Sequence, residues 1–200
     1  MNLSAFLFLT VILMSNHNNQ QSNMDVITLG GGCFWCIEAV FASLEGVQSA
    51  ESGYMGGHIK NPAYREVCTG RTGHAEVVRV TFDPERISLD QLMDVFFTIH
   101  DPTTLNRQGA DVGTQYRSCV YYSSVSQKSA AESAVERWSR IHPEASGVVT
   151  EILAEETFYP AEDYHQQYYE LNGEAPYCRA VIAPKLKKAR EQFAPLFQVN

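Results

Sequence analysis

Apolar and polar positions follow distinct rhythms along the chain. In DVITLG (25–30) a short apolar run ends at glycines, as a strand closing on a turn does. The next run, CFWCIEAVFASLE (33–45), carries apolar residues at 33, 34, 37, 40, 41 and 44, a helical stripe that stops before Gly46. VQSAESGYMGG predicts a strand entering a glycine bend, and AEVVRVTFD (75–83) alternates as a half-buried strand should. SLDQLMDVFFTIH (88–100) predicts a helix opened by a Ser cap. Beyond a polar loop at 101–115, YRSCVYY predicts a strand, SQKSAAESAVERWSRIH a helix and VVTEIL a last strand.

From residue 25 to 122 the order is strand, helix, strand, strand, helix, strand. This is the split βαβ order of a ferredoxin-like plait, so the expected fold is α+β: a two-layer sandwich with a mixed, mostly antiparallel sheet. Residues 123–200 add a helix, a strand, the loop-rich aromatic stretch FYPAEDYHQQYYELNGEAPYC and a C-terminal helix, PKLKKAREQFAPLF. With no internal repeat and no linker after residue 24, residues 25–200 read as a single domain behind a 24-residue extension.

That extension holds the apolar run SAFLFLTVILM (4–14), shorter than the ~20 residues a bilayer span needs. No Lys or Arg precedes it and no small-x-small cleavage pattern follows, which argues against a signal peptide. Met24 in MDVITLGG offers an alternative start. The expectation is a cytoplasmic protein with no stable membrane span, with export or tethering through residues 3–14 as the alternative.

Composition changes the picture in two ways. The net charge of -8 has the wrong sign for holding phosphate backbones, which excludes nucleic acid as an expected partner. The five cysteines, at 33, 36, 68, 119 and 178, are odd in number and irregularly spaced, so they suit reduced thiols better than a secreted disulfide framework. Without a second C-x-x-C, a zinc site is not expected.

The candidate chemistry sits at GGGCFWC (30–36). A thiol at a helix start faces unpaired N–H groups and the positive end of the helix dipole, which favour its thiolate and make Cys33 a candidate nucleophile. Cys36 lies on roughly the same face, within reach of a disulfide after modest adjustment. C-x-x-C between strand and helix also fits a thioredoxin-like disulfide oxidoreductase. Phe34 and Trp35, however, build an apolar wall beside the sulfur, which suits a small apolar group on a substrate better than an open exchange surface.

GGCFWCIEAVF, SGYMGG, NPAYREVCTGRTGHAEVV, FFTIHDPTTLNRQGADVGTQYRS, FYPAEDYHQQYY and PYCRAVIAPKL together resemble the A-type peptide methionine sulfoxide reductases, in the family's order over residues 27–190. The resemblance implies a thiol-dependent enzyme that returns the S epimer of methionine sulfoxide, free or in oxidised proteins, to methionine; each epimer has its own enzyme class. It implies Cys33 as nucleophile and Glu76 of GHAE as the acid that protonates the sulfoxide oxygen. It further implies Tyr64 and Tyr116 as hydroxyls bonding that oxygen, Asp111 as a carboxylate working with Glu76, Phe34 and Trp35 as the methyl pocket, and His165 nearby. A Cys33 sulfenic acid would then condense with a second thiol, and thioredoxin (or dithiothreitol) would reduce the disulfide, with no metal or organic cofactor in a chain expected to be monomeric. Many members carry Gly after CFW, whereas this chain has Cys36 there and Cys178 in PYCRAV, so either could resolve the sulfenic acid, or both in relay. Cys36 is the nearer; Cys178 follows NGEAP, which reads as a flexible approach. Cys68 and Cys119 read as structural thiols.

Overall fold

A computed structural model describes residues 24–198. The core elements are β1 (Asp25–Gly30), α1 (Phe34–Phe41), β2 (Val47–Met55), a single helical turn α2 (Tyr64–Val67), β3 (Ala75–Phe82) and α3 (Leu89–Ile99). A small hairpin of β4 (Arg107–Gln108) and β5 (Asp111–Val112) follows, then β6 (Cys119–Tyr122), α4 (Val125–Ile141) and β7 (Glu151–Ala154). The C-terminal part holds β8 (Tyr159–Pro160), α5 (Tyr168–Asn172), a π-helical stretch over Cys178–Ile182 and α6 (Ala183–Gln192).

Six strands form one sheet in the order β7-β6-β1-β3-β2-β8. Its centre, β6-β1-β3-β2, is the strand order that the split βαβ reading requires. All neighbours are antiparallel except the β6/β7 pair. The alternation in β3 sends Val78, Val80 and Phe82 into the main core with Ile37, Val40 and Phe41 of α1, while Glu76 and Val77 at its beginning are also covered. Ser88 caps α3 as expected, its Oγ accepting the Gln91 N–H at 3.2 Å.

The helix at GGGCFWC is shorter than its stripe predicts. It begins at Phe34, ends at Phe41 and leaves Cys33 as the N-cap residue. The residues from Ala42 to Gly46 turn instead, so the apolar Leu44 reaches the core from a turn, paired with Phe197. Gly32 takes φ +92° to make the preceding bend, a conformation that side-chain-bearing residues rarely adopt.

Gly30 is demanded by space rather than by backbone angle. A Cβ there would lie 2.6 Å from Cys119 Sγ and 2.9 Å from the Glu76 carbonyl oxygen. Gly30→Ala should therefore lower stability by about 1–3 kcal/mol, the usual range for overpacking. Urea unfolding would measure it, and because strain at that point also presses on the Glu76 backbone, activity should fall with it.

Candidate active site

The N-terminus of α1, the start of β3, α2 and the loop bearing β5 converge around Cys33. Glu76 is almost fully buried, and its Oε2 accepts the backbone N–H of Phe34 at 3.1 Å. Burial raises its carboxyl to about 8; the Phe34 N–H opposes the shift, and the charges of Asp111 and Cys36 add to it. A carboxylic acid that keeps its proton at neutral pH thus sits beside the thiols.

The two cysteines act on each other. Cys33 donates its S–H to Cys36, and that bond, opposed by burial and assisted by Lys185, lowers the Cys36 thiol to about 7. The same bond, burial and the Glu76 charge raise Cys33. The pair therefore gives up its first proton readily, and the bond between the two thiols favours the charge on Cys36. The Cys33 side chain accepts no helix N–H; the Phe34 amide donates to Glu76 and the Cys36 amide to the Cys33 carbonyl.

Aromatic rings enclose the sulfurs. Phe34 is buried, its ring tilted against Tyr54 at 5.9 Å and His165 at 5.0 Å and stacked over Tyr64 at 6.5 Å. Trp35 is half-buried and carries the Tyr168 ring flat on one face, centroids 3.6 Å apart and planes 6° apart. Its indole N–H donates to His165 Nδ1 at 3.1 Å, so a neutral His165 holds its own proton on Nε2. Tyr64 and Tyr116 are half-buried, and burial is the leading cause that raises both phenols, with the Glu76 charge contributing, so both remain O–H donors.

Asp111 lies at the end of the small hairpin and accepts the Tyr177 hydroxyl at 3.2 Å. That hydroxyl also stands 3.9 Å from Cys36 Sγ, which makes Tyr177 a bridge between thiol and carboxylate. Sequence reasoning missed Tyr177, Tyr168 and Glu162. Glu162 accepts the Tyr54 hydroxyl at 2.9 Å and the Tyr64 N–H at 2.9 Å, and so ties the aromatic wall to α2. The density of Tyr between residues 154 and 177 was the one available signal.

The remaining cysteines divide differently from expectation. Cys119 is wholly buried and burial pushes its thiol up to about 12, which suits a structural role. Cys68 is exposed at the end of α2, near Tyr64, so it is not a packed core thiol. Cys178, expected on a flexible approach, is fully buried at the start of the π-helical stretch, behind the helical turn of α5.

The buried histidines outside this cluster have structural partners. His74 Nδ1 accepts from the Gly57 amide at 3.1 Å and Nε2 bonds the Ile59 carbonyl at 2.7 Å. His100 bonds the Phe96 carbonyl at 2.6 Å and Ser118 Oγ at 2.8 Å, and burial lowers it to about 4. Among the described residues, no cluster of three or more His, Cys, Asp or Glu is arranged to hold a metal ion.

A thiol pair, a buried neutral acid and tyrosine hydroxyls in one aromatic pocket can carry an oxygen away from sulfur. The family model of peptide methionine sulfoxide reductase matches residues 25–196. The chain belongs to that family. It is 54% identical over 170 residues to the peptide methionine sulfoxide reductase MsrA of Sulfolobus acidocaldarius, covering 85% of this chain and 96% of that one. Methionine sulfoxide reductase A of Corynebacterium diphtheriae superposes with a TM-score of 0.73 at 38% identity, over 78% of each chain. Mxr1 of Saccharomyces cerevisiae, in a complex with Trx2, superposes with a TM-score of 0.52 at 27% identity, over 72% of this chain and 84% of that one. As a peptide methionine sulfoxide reductase, this chain has to protonate a sulfoxide oxygen, attack its sulfur and dispose of the oxidised thiol.

Proposed function

We propose that this methionine sulfoxide reductase works on the S epimer, with Cys33 as nucleophile and Glu76 as acid. The observation that carries the reading is the buried, proton-retaining Glu76 beside the hydrogen-bonded Cys33/Cys36 pair. A sulfoxide sulfur is a poor electrophile until its oxygen is protonated or strongly hydrogen-bonded, so thiol and acid must act together. The substrate methyl would lie against Phe34 and Trp35, with its oxygen facing Tyr64, Tyr116 and Glu76. Glu76 Oε2 accepts the Phe34 N–H, which leaves Oε1 to carry the proton.

In the first step Cys33 passes its proton to Cys36 and attacks the sulfoxide sulfur, while Glu76 protonates the oxygen. In the adduct the protonated oxygen moves from the substrate sulfur to Cys33 Sγ: the S–O bond to the substrate and the new S–S bond both break, a Cys33 S–O bond forms, and methionine leaves as the thioether with Cys33 as a sulfenic acid. The Cys36 thiol then attacks Cys33, forming a disulfide and releasing water. A reduced dithiol of thioredoxin type restores both thiols by exchange; the yeast complex with Trx2 supports that choice of partner. Free methionine sulfoxide and oxidised proteins are the substrates of this reading, and it needs no cofactor.

Residues 25–200 act as one catalytic domain, and 1–24 as an extension whose apolar run lies outside the described residues. Among the described residues no helix is long and apolar enough to cross a membrane. A cytoplasmic monomer is the location and state we propose; mass spectrometry of the native N-terminus distinguishes an intact extension from cleavage or a start at Met24.

Cys36 has the stronger claim to resolve the sulfenic acid, being bonded to Cys33 and lowered to about 7, whereas Cys178 would have to leave a closed helix. Cys36→Ser removes the proton acceptor as well as the resolving thiol, so it should slow but not abolish turnover with dithiothreitol and lose at least about tenfold more with thioredoxin, since an unresolved sulfenic acid is not a substrate for disulfide exchange. Cys178→Ser should keep both. The reverse pattern would assign resolution to Cys178, and loss in both variants would indicate a relay. A disulfide oxidoreductase would instead reduce insulin, an activity that aromatic cover over both sulfurs disfavours.

A further inference from the structure

The reaction as described leaves one buried carboxylate on α1 without a task. Glu38 stands five residues after Cys33 in an otherwise apolar helix and is 2% exposed. Its Oε1 accepts the Gln167 N–H at 2.9 Å, while its buried Oε2 has no hydrogen-bond partner among the described residues. Burial lifts the carboxyl to about 7 against the pull of the Gln167 amide.

The segment held in this way is a turn with a tight constraint on each side. Before it, the Gln166 side chain is fixed to β2 and to the residue after β8: Oε1 accepts the Ser52 N–H at 3.0 Å, and Nε2 donates to the Ser52 and Ala161 carbonyls, each at 2.9 Å. At the turn itself, Gln167 adopts φ +52° and ψ 32°, a left-handed conformation that residues other than glycine disfavour. Directly after it comes Tyr168, whose ring lies on Trp35. Glu38 and Trp35 are one helical turn apart, so the same face of α1 grips the Gln167 backbone and the ring of the next residue, Tyr168.

We propose that Glu38 is a positioning residue for substrate binding: it fixes the start of α5 so that Tyr168 lies flat on Trp35 and sets the indole plane at the methyl pocket. This rests on the reading of Trp35 as a wall of that pocket. Without the carboxylate, the Gln167 amide loses its buried acceptor and the left-handed turn relaxes. The ring then leaves the indole, and Trp35 keeps only its N–H bond to His165 to fix its plane.

The chain has two tryptophans, so a Trp138→Phe background makes Trp35 the sole emitter. In that background Glu38→Ala should shift Trp35 emission and raise KM for methionine sulfoxide about fivefold, the range an aromatic stack supports, while kcat with dithiothreitol stays within about twofold. Glu38→Gln, which keeps an oxygen for the Gln167 amide, should restore both readouts. Tyr168→Ala should reproduce the KM rise, and adding Glu38→Ala to it should change KM no further. If Glu38→Ala does not fold, Glu38→Asp, whose shorter side chain falls short of the turn, carries the same test. Unmoved Trp35 emission and KM in a folded Glu38 variant, or additive effects with Tyr168→Ala, would overturn the proposal. A Trp35→Ala variant with wild-type KM would overturn the pocket reading itself, and the emission of Trp35 in the Glu38 variants reports independently of that result.

Discussion

Cys33→Ser should abolish methionine sulfoxide reduction with dithiothreitol and with thioredoxin alike, a loss on the order of 10⁴-fold or more, the scale on which removing a covalent nucleophile acts. The reasoning is chemical. A serine hydroxyl has no accessible anion at neutral pH and cannot take up the sulfoxide oxygen as a sulfenic acid. Both reductants act after that step, so neither rescues it. The substitution should leave the fold intact, because Cys33 is the N-cap of α1, where Ser is a favoured residue, and serine differs from cysteine by one atom. A thermal transition within a few degrees of wild type would establish that, and mass spectrometry after treatment with methionine sulfoxide should find no added oxygen. Activity surviving in Cys33→Ser would sink the assigned mechanism. The experiment also separates the two thiols, since Cys36→Ser is expected to fail with thioredoxin alone.

Why Cys33 was legible and its ionisation was not follows from where the information lies. A strand ending in glycines, a helical stripe and a second cysteine are all local, and local periodicity placed the elements that build β6-β1-β3-β2 within a few residues. The Phe34 amide that bonds Glu76 crosses 42 positions, and the Tyr177 hydroxyl that reaches Asp111 crosses 66. No spacing rule reports such contacts, so a dipole argument assigned the helix N–H to the nearest thiol although a carboxylate on β3 receives it. The short elements failed for a related reason. The single turn of α2, the two-residue strands and α5 are too short to repeat a period of pattern, and tertiary partners such as Glu162 and Glu38 hold the two helices. Gly173 and Pro176 near Cys178 read as a flexible approach, yet the residues on either side are helical and the thiol is buried. Glu76 and Asp111, which composition alone would leave on the surface, were placed by the family pattern, and the structure supplies the physical basis for Glu76 in particular: burial without a compensating cation.

Glu76→Gln should lower kcat/KM by about 10²–10⁴-fold, the usual contribution of a positioned proton donor, and should also change the shape of the pH profile. In the wild type the carboxyl, raised to about 8, donates below that pH and is lost as an acid above it, while the thiol pair must lose its first proton near 7 to attack. The profile should therefore rise through about 7, peak between the two values and fall through about 8. Gln still accepts the Phe34 N–H but has no proton to give, so the falling limb should vanish along with most of the activity. Stability should move the other way. A carboxyl whose folded value lies above its unfolded value of 4.5 makes no charge-burial demand below 4.5; the penalty grows between 4.5 and about 8 and is complete above about 8. Glu76→Gln removes that penalty and should be more stable than wild type by a few kcal/mol at pH 9, with little difference at pH 4.5, as read from urea unfolding at the two pH values. A variant that loses activity yet gains stability only at high pH would be the mark of a carboxyl kept neutral for proton donation. Equal stability differences at both pH values would show that Glu76 is an ordinary packed residue and would remove it from the mechanism.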